Sequence, residues 1–127
     1  MLVLYFVPGR LPPPRDPILN GRAEDISGIA QLNLGNIDQA ITSFTAIRER
    51  LSAFGDADHR YWQARALFNK GVTLGALGRS GDAIAVYDDL LARFATATEL
   101  PLREQVAKAR HLKAGLQKSS RLCEKWG

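Results

Sequence analysis

Six residues of this chain, Gly28, Gly35, Ala40, Ile41, Phe44 and Ile47, recur 43 positions later without a gap. Their counterparts are Gly71, Gly78, Ala83, Ile84, Tyr87 and Leu90. No other feature constrains the fold as much, because a repeat of this length requires one supersecondary unit stacked on a copy of itself. A fainter third echo follows at the same spacing. Ala64, Arg65, Ala66 and Lys70 meet Ala107, Lys108, Ala109 and Lys113, with Ala114 in place of Gly71, and that copy stops after its first helix.

The unit is clearest from Ala64 to Phe94, which reads as two amphipathic helices broken at Gly78-Arg79-Ser80. After Asp82, the residues Ala83, Ile84, Tyr87, Leu90, Leu91 and Phe94 fall on one stripe of a helix with ~3.6 residues per turn. Asp88, Asp89 and Arg93 fall off it and face water. Ser80 is placed to cap this helix, and Asp82 suits the positive end of its dipole. The preceding helix, Tyr61 to Leu77, carries Leu67, Phe68, Leu74 and Leu77 with Ala64, Gly71 and Gly75. A glycine inside a helix costs ~1 kcal/mol relative to alanine, so these two need a reason. The expected reason is close approach of the two helix backbones at Gly71 and Ala83; a frayed or kinked helix is the alternative. Gly78 ends the helix as a left-handed cap.

The first copy opens with a helix near Ala23 to Leu34, thinly apolar through Ile26, Ile29, Leu32 and Leu34. Asn36 and Asp38 start its second helix, which carries Ala40, Ile41, Phe44, Ile47, Leu51 and Phe54 on one face. Gly55-Asp56 breaks the run, and the connection holds Asp56, Asp58 and His59. Tyr61 and Trp62 then stand where they can cover Phe54. After Phe94 a short linker leads to Pro101, a residue suited to a first helical turn. The last helix, Leu102 to Ser119, has a sparse stripe of Leu102, Val106, Ala109, Leu112 and Leu116. Whether the array ends there or continues stays open, as does whether Trp126 docks back.

These residues resemble the tetratricopeptide repeat (TPR), in its bacterial variety with a period longer than the basic unit of ~34 residues. The family pattern is a small residue in the first helix, a glycine at the turn, then alanine, three residues and an aromatic. Gly71, Gly78, Ala83 and Tyr87 meet it, and so do Gly28, Gly35, Ala40 and Phe44. The aromatic that often opens the first helix is replaced by Leu67 and Glu24, and the closing proline by Ser52 and Ala95. The resemblance implies an all-α chain, a short alpha-alpha superhelix or TPR-like solenoid of about five helices. The expected organisation is an extended proline-rich arm over residues 1–20, a repeat domain over 21–119 and a C-terminal tail over 120–127. Within the domain the repeats fall at about 21–54 and 61–97, with a partial unit at 101–119.

Composition bounds the rest. With 127 residues, 46% of them apolar, the chain is a single domain with a modest core. Leu2 to Val7 is too short to span a bilayer, which needs ~20 residues, and lacks the basic lead of a signal peptide. Pro12 to Pro14 favour an extended arm, with Leu4, Tyr5 and Phe6 available to fold against the first repeat. A proline-rich ligand is the alternative, but no complete arginine-flanked PxxP pattern appears. The single cysteine, Cys123, excludes an internal disulfide and a cysteine-based zinc site. A reduced, cytoplasmic setting is the expectation.

Nothing in the pattern assembles catalysis. His59 and His111 do not form a metal pair, Asp88 and Asp89 point ~100° apart on a helix, and no glycine-rich phosphate loop occurs. We therefore expect a non-enzymatic protein that needs no cofactor or metal.

The net charge of +4 is unevenly spread: residues 23–100 are net acidic and residues 101–127 net basic. The basic end, Arg103 to Lys125, opens an alternative, a nucleic-acid-associated protein working through the last helix. Aromatics for stacking bases are missing there apart from Trp126 and His111, so nucleic acid is the less favoured partner. A third reading is self-association through the open repeat ends, using an unpaired Leu112–Leu116 face.

The favoured expectation is a scaffold that binds a peptide or helix of a partner protein. In such arrays the first helices line the concave surface. The resemblance maps that surface onto Arg65, Phe68, Asn69, Val72 and Ala76. Arg22, Asp25, Ile29 and Asn33 are the equivalents before it, and Lys108, His111 and Lys118 those after it. Asn69 is expected to contact a peptide backbone, and Arg65 with Lys108 to hold a carboxylate, although the full residue set of the family's carboxylate clamps is absent.

Overall fold

A computed structural model describes residues 17–53 and 55–126, with side chains for 21–53 and 55–119. The expectations placed on Leu4 to Phe6, the proline run and Phe54 lie outside the described residues. Those on the side chains of Cys123 and Trp126 lie outside them as well.

The chain is all-helical over these residues, with five helices and no strand. They are α1 (Pro17–Asn33), α2 (Ile37–Leu51), α3 (Ala57–Ala76), α4 (Ser80–Phe94) and α5 (Leu100–Trp126). Helices α2 and α4 are related end to end by the 43-residue offset. Their buried residues coincide too: Ala40, Phe44, Ile47 and Leu51 in one, Ala83, Tyr87, Leu90 and Phe94 in the other.

The glycine turns repeat as well. Gly35 and Gly78 have φ of 83° and 79°, the left-handed conformation that glycine adopts without a Cβ penalty. Both turns close with the paired hydrogen bonds of a Schellman motif. The Asn36 amide donates to the Gln31 carbonyl (2.8 Å) and the Arg79 amide to that of Leu74 (3.0 Å). Gly35 donates to Leu32 (3.0 Å) and Gly78 to Gly75 (3.1 Å).

Inside each hairpin a glycine faces an aromatic ring. A Cβ on Gly28 would lie 2.6 Å from a ring carbon of Phe44, and one on Gly71 would collide with the Tyr87 ring. Gly71 therefore makes room for an aromatic side chain, not for the backbone at Ala83. Gly75, one turn on, is the residue that faces Ala83, with 4.0 Å between a Cβ built there and the Ala83 Cβ.

Several boundaries differ from the sequence reading. Helix α1 starts at Pro17, so residues 17–20 are helical and not part of an extended arm; proline's fixed φ suits a first helical position. Helix α3 starts at Ala57, a turn before Tyr61, which draws Asp58 and His59 from the connection into its first turn. Arg79, not Ser80, is the N-cap of α4, and neither it nor Asn36 caps with its side chain. Arg79 pairs instead with Asp82 (2.7 Å). Helix α5 begins at Leu100 and continues to Trp126, so the tail from 120 is helical nearly to its end.

Each helix packs on its neighbours in sequence, and the backbone of α3 also approaches those of α1 and α5. The backbones of α2 and α4 stay apart, and Arg48 bridges them by pairing with Asp89 at 3.1 Å. The helices thus form two layers, one in which α3 touches both α1 and α5, and one in which α2 and α4 stand apart. Two apolar clusters fill the space between, one around Phe44, Ile47, Leu51 and Ala66, the other around Tyr87, Leu90, Phe94, Leu102 and Val106. Each large side chain buried there contributes ~1.5–3 kcal/mol. Gln63, also buried, donates to the Leu51 carbonyl and so satisfies one acceptor left open at the end of α2.

Candidate partner-binding groove

The expected groove positions belong to α1, α3 and α5, and they are in different states. Asp25 of α1, expected to line the groove, is only 3% exposed. Its two oxygens accept from Arg65 Nε (2.9 Å) and from Asn69 Nδ2 (3.0 Å), both on α3. A buried carboxylate must have its charge and lone pairs satisfied, and these two donors do so. Arg65 also lies over the Trp62 ring at 5.5 Å, with Arg22 over the same ring at 6.0 Å. Burial works against the Arg65 charge, but the hydrogen bonds to Asp25 and Tyr61 outweigh it and leave its pKa raised. Of the donors expected to hold a partner's carboxylate and backbone, Arg65 and Asn69 are thus engaged within the chain, locking α3 to α1.

The same slot recurs one repeat later with different chemistry. Position 68 is the counterpart of 25, and position 108 that of 65. Here the Lys108 Nζ sits 5.7 Å from the centre of the Phe68 ring, a cation–π contact in place of an ion pair. Phe68 in turn packs against Tyr87, with ring centres 6.3 Å apart. Lys108 and His111 are exposed, as are Lys118, Asn33 and Ala76, while Ile29 packs into the first apolar cluster. Val72 is 40% exposed.

Beside Val72 lies a recess of about 360 Å³, walled by Val72 and Gly75 of α3 and by Leu112, Gly115, Leu116 and Ser119 of α5, with Tyr87 beneath. It exists because two side chains are missing. Gly75 occupies the position that Leu32 fills in the first repeat, and Gly115 occupies that of Val72. A Cβ on Gly115 would meet nothing within 4 Å, and one on Gly75 nothing closer than Leu116 at 3.9 Å. Leu112 and Leu116 are not an unpaired face, since both pack against the second cluster and form the recess wall.

Of the six residues the sequence picks for the groove, Val72 lines the recess, Phe68 and Lys108 contact each other, His111 is exposed, and Arg65 and Asn69 are held by Asp25. Sequence reasoning missed the Asp25 interlock and the recess. The 43-residue alignment contains the signal for the recess, a glycine falling where the earlier copy has leucine or valine. No pattern signals the interlock, because a carboxylate on a thinly apolar helix reads as solvated.

Several other charges pair within the chain. Asp88 pairs with Lys113, and Asp89 with Arg48 and Arg93, consistent with surface charge. Asp56 accepts from His59, and that hydrogen bond, the largest cause, holds its carboxyl below the ordinary value. Glu99, before α5, is also lowered, first by hydrogen bonding to its own backbone amide and then by the charge of Arg60, 2.9 Å away. Among the described residues no three His, Cys, Asp or Glu side chains converge to hold a metal, and no helix is long and apolar enough to cross a membrane. No protein-family model matches the chain, and neither the curated proteins nor the solved structures compared with it give a significant match.

Proposed function

We propose that this chain is a non-catalytic protein-interaction module of the tetratricopeptide type, holding a peptide or helix of a partner protein on the α1-α3-α5 face. The observation that carries this reading is the open apolar recess on that face, with exposed Val72 on its wall and Lys108 and His111 on the adjoining face. The contact of α3 with both α1 and α5, beside separated α2 and α4, supports it as well. A stack built that way would curve toward the contacting layer, with the first helices on its inner side, as the proposed tetratricopeptide-type array requires.

Site-specific photo-crosslinking in cells tests the reading. A benzoylphenylalanine at Val72 is expected to capture one or a few discrete proteins, and one at exposed Ala85 of α4 is not. Equal capture at both positions, or capture only at Ala85, would overturn it.

A further inference from the structure

We infer that the partner segment is acidic and amphipathic, and seats one large apolar side chain in the Val72–Leu116 recess while its carboxylates meet the flanking cations. This inference rests on the proposed interaction function and names its ligand class.

The argument is one of charge and shape. Neither wall of the recess carries a carboxylate: α3 from Arg60 to Ala76 and α5 from Gln105 to Ser119 contain no Asp or Glu. Both stretches are basic. Arg60, Arg65 and Lys113 are neutralised within the chain by Glu99, Asp25 and Asp88. Lys108, His111 and Lys118 stay exposed on α5. They lie one or two turns from Gly115 on its side of the helix, so they flank the recess. Among the described residues, the one acid of α1 that faces α3, Asp25, is buried and already neutralised.

The recess itself is apolar, floored by the Tyr87 ring and open at both glycines, with room for one side chain of leucine or phenylalanine size. A fully desolvated apolar anchor with a charged rim is how short segments gain both affinity and register. The chain's own start, MLVLYFVPGR, is apolar but carries no carboxylate, so it lacks the complementary charge.

Selection of random 16-residue peptides on the full chain tests this. The enriched peptides are expected to combine a Leu, Phe or Met with an excess of Asp and Glu. Gly115→Leu, which fills the recess from open space, should weaken their binding at least about tenfold. Lys108→Glu should weaken it comparably and flatten its salt dependence. Neutral or basic peptides that still lose binding in Gly115→Leu would overturn the acidic assignment and leave the groove function standing. If no peptide responds to Gly115→Leu, or only single-stranded oligonucleotides bind, the inference and the interaction reading both fail. If deleting residues 1–16 is needed before any peptide binds, the recess is filled by the chain's own start, and the inference is wrong.

Discussion

Removing the Asp25 carboxylate leaves Arg65 and Asn69 facing a site with no acceptor. Asp25→Ala should therefore cost about 1–3 kcal/mol, against no more than ~0.5 kcal/mol for Asp38→Ala on the exposed side of α2. Thermal unfolding followed by circular dichroism checks the difference, at roughly 4 °C per kcal/mol for a chain between the 100- and 150-residue classes. Equal melting of the two variants would mean the interlock contributes nothing. Glu99 gives a second residue-level expectation. Its folded pKa lies below the ordinary 4.5, so the unfolded chain binds more protons as pH falls through that region. The stabilisation is complete above pH 4.5 and is lost as pH drops through the lower folded value. Glu99→Gln should remove part of the acid sensitivity of the melting temperature below pH 4.5 and leave its slope at neutral pH unchanged.

At the scale of the helices, the glycines separate by what surrounds them. Gly71→Ala forces a Cβ into the Tyr87 ring, which must shift, and is expected to lower the melting temperature. Gly115→Ala adds its Cβ to open space within a helix and should raise stability by ~0.5–1 kcal/mol through helix propensity alone. The opposite ranking, measured by urea unfolding, would contradict the packing described. These helices were readable in outline because α2 and α4 bury a clean stripe, Ala40-Phe44-Ile47-Leu51 and its copy, that only one helical phase satisfies. Their ends were less readable. Periodicity carries no information where a helix runs beyond its buried stripe, as α5 does from Gln117 to Ser119, all exposed. The role of Gly71 was legible as close approach, but what approaches it is a ring from the next helix. That pairing becomes evident only when Gly28–Phe44 is seen to do the same.

For the whole molecule, charge divides by layer: the α1-α3-α5 side is net basic and the α2-α4 side net acidic. The linear sequence hides this, since its acidic middle and basic end each contribute helices to one or both layers. The outer face of α5 is also distinct. Where α3 presents Ala64, Leu67, Gly71 and Leu74 to α4, α5 has Ala107, Arg110, Ala114 and Gln117 at the same positions, all exposed. With Arg110 and Gln117 in place of two leucines, that face offers no apolar stripe for stacking a second copy among the described residues. The acidic-partner groove should therefore be free in the purified chain. Sedimentation equilibrium of the full chain at low and high concentration, with its helical melt recorded alongside, bears on this most directly. The expected result is a monomer at both concentrations that unfolds in one cooperative transition. A dimer that Gly115→Leu converts to a monomer would put a second copy in the recess, and the groove could not then be an open site for another protein.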